Sequence, residues 1–143
     1  MAGYMTKLQG YVYEGELVNG AAAPVANGIL MVQGTSTNVG KLVLIGSADT
    51  TTKLRCIEVT TIYDGVPAYR FKVESLAKNY YFVENGFDIN DNAAYDKRTY
   101  TTPVGAELRA HPLLVGEEFV TDKVTGTIAA GSDYGVKTDG TIG

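Results

Sequence analysis

Histidine, cysteine and tryptophan are nearly missing from this chain, which carries only His111, only Cys56 and no tryptophan among its 143 residues. A lone cysteine excludes an internal disulfide, so stability rests on burial and backbone ladders, with contacts between copies adding to them where the chain associates. One cysteine and one histidine also fall short of the clustered ligands of a structural zinc site. His111 has no accompanying nucleophile-and-acid motif, and Pro112 after it favours an extended backbone, so a structural histidine at a strand end is expected. Cys56 sits inside an alternating pattern, where a free thiol packs as a small apolar group.

Long apolar runs are scarce as well. The longest, residues 28–32 and 42–45, fall far short of the ~20 residues of a membrane-spanning helix. Residues 1–7 carry no apolar segment of signal-peptide length, so synthesis and retention in a cytosol are expected. Basic clusters are missing too. The formal net charge is −4, and Lys97-Arg98, beside Asp96, is the sole adjacent basic pair. Phosphate recognition relies on clustered Lys and Arg, so nucleic acid is not an expected partner.

What the chain has in quantity is Thr, Val, Tyr and Gly in short alternating runs such as Tyr69-Arg70-Phe71-Lys72-Val73-Glu74. Such runs mark half-buried strands divided by glycine turns. Strand candidates are residues 10–14 continuing into 16–18, then 29–33, 41–46, 80–84, 98–102, 104–111 and 115–122. The run Leu42-Val43-Leu44-Ile45 suggests a strand covered on both faces. The clearest unit is a hairpin over residues 53–74, turning at Asp64-Gly65-Val66-Pro67. Ile57, Val59, Thr61 and Tyr63 share one face of its first arm, and Tyr69, Phe71 and Val73 share one face of the second. Arg55, Glu58, Arg70, Lys72 and Glu74 then point to water, and a slip in the alternation at Cys56-Ile57 marks a bulge. Residues 125–143, rich in Gly, Thr, Ser and Asp, read as one edge strand and a loose end.

The spacing of these strands, roughly 8–12 residues, predicts an all-β fold: a single small barrel or sandwich of short antiparallel strands. Residues 1–9 form an N-terminal arm and residues 10–143 one β domain ending in a Gly/Thr-rich tail. A globule of this length buries roughly 68–70% of the surface its unfolded chain exposes.

Chemistry-bearing patterns are few. Asp88-Ile89-Asn90-Asp91-Asn92 places oxygens as a calcium loop would, but Ala93 and Thr99 stand where an EF-hand needs Gly and Glu. An Asx-rich turn explains the same residues, and no metal or cofactor is expected. Glu117-Glu118 are strand neighbours on opposite faces and cannot flank one bond; they read as a solvated edge and one interface charge. The tyrosines, among them Tyr11, Tyr13, Tyr63, Tyr80, Tyr81, Tyr95, Tyr100 and Tyr134, suit half-buried sheet packing, a ligand surface or a protein interface. Binding and assembly therefore fit this chain better than catalysis.

The stretch Pro103-Val104-Gly105-Ala106-Glu107-Leu108-Arg109-Ala110-His111-Pro112-Leu113-Leu114-Val115-Gly116-Glu117-Glu118-Phe119-Val120-Thr121 resembles small structural proteins of tailed bacteriophages, particularly capsid decoration or cement proteins. Tyr13-Glu14-Gly15-Glu16-Leu17-Val18-Asn19-Gly20 and the Gly/Thr-rich ending are similar in style. The resemblance implies a non-enzymatic virion protein, made in the host cytoplasm, that sits on the capsid exterior as a homo-oligomer, commonly a trimer. Its implied partner is the major capsid protein, whose neighbouring subunits it bridges. An N-terminal arm that adds a strand to a capsid sheet places Tyr4, Met5, Leu8, Tyr11 and Tyr13 at the interface. The alternatives are a tail or head–tail component of the virion, or a carbohydrate- or cell-surface-binding β module that uses Tyr80 and Tyr81.

Overall fold

The computed structural model describes residues 4–5, 16–18, 23–61, 65–84, 101–105 and 108–143. It is all-β. One five-stranded sheet runs in the order β1 (Tyr4–Met5), β11 (Glu118–Thr121), β7 (Pro67–Ser75), β6 (Asp49–Thr61) and β12 (Asp133–Val136). A second runs β2 (Glu16–Val18), β10 (Leu108–Pro112), β8 (Tyr81–Val83), β4 (Leu30–Gln33) and β5 (Leu42–Val43). A two-stranded ladder joins β3 (Val25–Ala26) to β9 (Thr101–Thr102), and every paired strand is antiparallel.

The two large sheets face one another across a core built from alternate residues of each. Leu54, Cys56, Phe71, Val73, Phe119 and Val136 come from the first sheet, and Leu30, Phe82 and the adjoining Leu113 from the second. The rings of Phe82 and Phe119 meet across the gap, with centroids 5.1 Å apart. The opposite face of the second sheet is covered too. Met31, Leu42, Tyr81, Val83, Leu108 and Ala110 form a second apolar cluster with Val25 of β3. Strands buried on both faces lose the polar half of their alternation, which explains Tyr80-Tyr81-Phe82-Val83. The run of residues 42–45 follows a different course: the ladder ends at Val43, and Leu44 turns outward with 41% of its surface exposed.

The hairpin formed by β6 and β7 has the expected bulge. Cys56 pairs with Phe71 and Glu58 with Arg70, leaving Ile57 as the extra residue. Before the bulge the inward positions are Leu54 and Cys56, both fully buried; beyond it Val59, opposite Tyr69, takes that face, and both Val59 and the extra residue Ile57 are exposed. Phe71 and Val73 are buried as expected, Tyr69 is half-buried against the same core, and Tyr63 lies outside the described residues. Arg55 meets Asp133 at 3.5 Å and Arg70 meets Glu58 at 3.4 Å, both at the surface.

The tail supplies the edge strand β12, but its end is not loose. Gly135 and Gly143 exchange backbone hydrogen bonds at 3.1 and 3.2 Å, and the Thr125 N–H donates to the Ile142 carbonyl at 2.9 Å. Ile142, 1% exposed, anchors the turn by bridging Val124 and Val136. One apolar side chain and reciprocal backbone bonds therefore fix a stretch whose composition reads as mobile. Gly135 is required here by close approach, since an added Cβ would meet the Asp49 carbonyl oxygen at 2.1 Å. Gly135→Ala is expected to pull β12 off β6 and to cost about 2–3 kcal/mol in urea unfolding. A change under 0.5 kcal/mol would contradict this packing.

Candidate functional site

The end of the β6–β7 hairpin combines exposed apolar side chains with an unaccompanied strand edge. β12 accompanies β6 only as far as Cys56, whose N–H donates to Ser132 and whose carbonyl accepts from Gly131 at 2.7 Å. Beyond it, residues 58–61 pair with β7 on one side, and among the described residues no strand lies on the other. Ile57 is 37% exposed and Val59 48%. Val59 pairs with half-buried Tyr69, so it continues the apolar face of the sheet past the point where the core ends. Residues 57–61 hold no Pro or Lys, and an unaccompanied strand edge is a template for pairing with another chain.

A second apolar tip lies at the turn before β11, where Leu114 and Val115 are exposed. The Glu117 carboxylate closes the turn by accepting the Leu114 N–H at 2.8 Å. Glu117 is therefore buried in a turn instead of lying on a solvated edge or facing a partner, while Glu118 is half-buried.

Of the residues expected at an interface, Tyr4 and Met5 form β1, paired with Thr121 and Val120 at the margin of this chain's own sheet. Leu8, Tyr11 and Tyr13 lie outside the described residues, as does the Asx-rich segment 88–92. Tyr80 and Tyr81 are buried, the first in the core between the sheets and the second beneath the outer cluster. The Tyr81 hydroxyl accepts from Gln33 Nε2 at 2.8 Å on the wall of a cavity of about 420 Å³ that Lys78, Asn79 and Leu114 also line.

The buried polar groups tie elements together. His111 Nε2 lies 2.6 Å from Glu84 Oε1, joining β10 to the end of β8. The Cys56 thiol points to the Glu58 carbonyl across the bulge at 3.7 Å, and burial raises its pKa. Sequence reasoning missed Asp49. Its Oδ1 accepts the N–H groups of Thr51 and Thr52 at 2.9 and 3.0 Å. Its Oδ2 accepts the hydroxyls of Thr52 and Tyr80, each at 2.6 Å. The Thr52 hydroxyl in turn accepts from the Ala77 N–H at 2.9 Å. Burial opposes ionisation of Asp49, but the hydrogen bonds from Thr52, Tyr80 and Thr51 outweigh it and bring its pKa from 3.8 to about 2. Burial, and then the carboxylate beside it, push the Tyr80 phenol upward. The signal was local: an Asp followed by a Thr run bonds its own backbone two and three residues on.

Among the described residues no group of His, Cys, Asp and Glu gathers as metal ligands, and no helix is long and apolar enough to cross a membrane. No family model, curated protein or solved structure matches the chain.

Proposed function

We propose that this chain is a non-enzymatic structural protein of a virion, binding the outer surface of a phage capsid and bridging its major capsid subunits. The observation that carries the reading is the open, apolar end of the β6–β7 hairpin. Ile57 and Val59 are exposed there, just beyond the stretch where Leu54, Cys56, Phe71 and Val73 are packed in the core. An exposed apolar strand edge on a well-packed domain is suited to adding its ladder to a partner. The stylistic resemblance of residues 103–121 to decoration proteins supplies the class of partner. Copies with individually modest contacts reinforce a shell by repetition, because each bridge makes the next one intramolecular.

The test is re-addition of purified chain to particles stripped of it. The double variant Ile57→Asp/Val59→Asp alters side chains that are 37% and 48% exposed and outside the packed core, so its unfolding free energy is expected to fall by no more than about 2–3 kcal/mol and the domain to stay folded. Its binding to stripped particles is expected to fall by at least tenfold. Undiminished binding by the folded variant would remove the hairpin end from the contact.

A further inference from the structure

A second cavity, of about 480 Å³, opens into the outer apolar cluster, away from the hairpin end. Its walls include Val25, Ile29, Met31 and Leu42, which are themselves buried, so the cavity is a recess in the packing and not a patch of open surface. Recesses of this size and lining are typical of small-molecule sites, and apolar walls hold water poorly. The flexible thioether of Met31 adapts its wall to more than one shape.

The polar lining comes from one place, the C-terminal turn and the residue to which it is stitched: Lys123, Asp139 and Thr141. The Ile142 N–H donates to the Lys123 carbonyl at 3.2 Å, which holds these groups together. Both charged groups already have partners, Lys123 a carboxylate and Asp139 the neutral donors of Thr141. Lys123 Nζ lies 3.0 Å from Asp122 Oδ1, and Asp139 Oδ1 accepts both the N–H and the hydroxyl of Thr141, at 3.0 and 2.6 Å. An anionic ligand end would face the Asp139 carboxylate and a cationic one the Lys123 ammonium, whereas a hydroxyl can share in these bonds without meeting a like charge.

We propose that this cavity binds a small uncharged amphiphile, with an aliphatic or single-ring body against Met31 and Leu42 and one hydroxyl end toward Lys123, Asp139 and Thr141. The site does not depend on whether the chain associates with a particle. The test is titration of the full chain carrying ¹³C-methyl methionine with 1-octanol and, separately, with octanoate. The Met31 methyl resonance is assigned by its loss in Met31→Leu. A saturable shift of that resonance is expected with octanol, with half-saturation at least tenfold lower than with octanoate. Ala26→Phe fills the cavity from β3, and Leu44→Trp blocks it from an exposed rim position should the first variant fail to fold. Either is expected to abolish the shift. No saturable shift with octanol, a shift retained in the folded blocking variants, or octanoate binding as tight as octanol would each overturn the proposal.

Discussion

Asp49→Ala is expected to lower the unfolding free energy by about 3–5 kcal/mol, because one small side chain answers four donors in a buried corner. Alanine leaves the Tyr80 hydroxyl, the Thr52 hydroxyl and two backbone N–H groups without their acceptor. It also cuts the link from the start of β6 to Tyr80, which is 1% exposed. Asp49→Asn keeps the shape and one carbonyl oxygen, but its amide turns donors toward two hydroxyls that need an acceptor. It should recover only part of the loss. The two variants also separate charge from shape through pH. The Asp49 pKa lies below its ordinary value when folded, so its contribution is complete above about pH 4 and is lost as pH falls through about 2. The gap between 3.8 and about 2 corresponds to roughly 2 kcal/mol. Urea unfolding at pH 6 and at pH 2.5 should show the parent losing part of this amount and Asp49→Asn losing less. Equal acid sensitivity in parent and variant would place the titrating group elsewhere.

Phe119→Ala is expected to cost about 3–5 kcal/mol, at the upper end for a single side chain. Phe119 is fully buried, and its ring lies 5.1 Å from Phe82 and 5.8 Å from Phe71, so one side chain joins the second sheet to the centre of the first. Removing it opens a cavity between two sheets whose strands cannot close up without disturbing their ladders. Val115→Ala, on the exposed turn just before β11, is the matched control and should lie within 0.5 kcal/mol of the parent. A small loss for Phe119→Ala, measured by denaturant unfolding with an unchanged m value, would mean that the sheets are held together elsewhere.

The β class, the hairpin, its bulge and the C-terminal edge strand were legible because each depends on neighbours in sequence. Alternation on Tyr69-Arg70-Phe71-Lys72-Val73 and a slip at Cys56-Ile57 are local patterns. What failed to show was set by distant residues. The exposure of Ile57 and Val59 depends on where the facing sheet ends, which no residue near them encodes. The fixed tail depends on Ile142 reaching Val124 and Val136. The Asp49 corner needs Tyr80, 31 positions on, although the Asp-Thr-Thr-Thr start of β6 was a readable half of it. For the contact surface, the first sequence candidates were Tyr4, Met5, Leu8, Tyr11 and Tyr13. A further candidate in the structure is the hairpin end, where exposed apolar residues and an unaccompanied strand edge coincide.

The central claim is association with a particle, and it is tested most directly by sedimenting source lysate through a density gradient while tracking this chain by antibody. The account predicts that the chain migrates with intact particles, and that stripping it off lowers the temperature at which those particles release their contents. Recovery of the chain only in slow-sedimenting fractions, with particles equally stable in its absence, would contradict it.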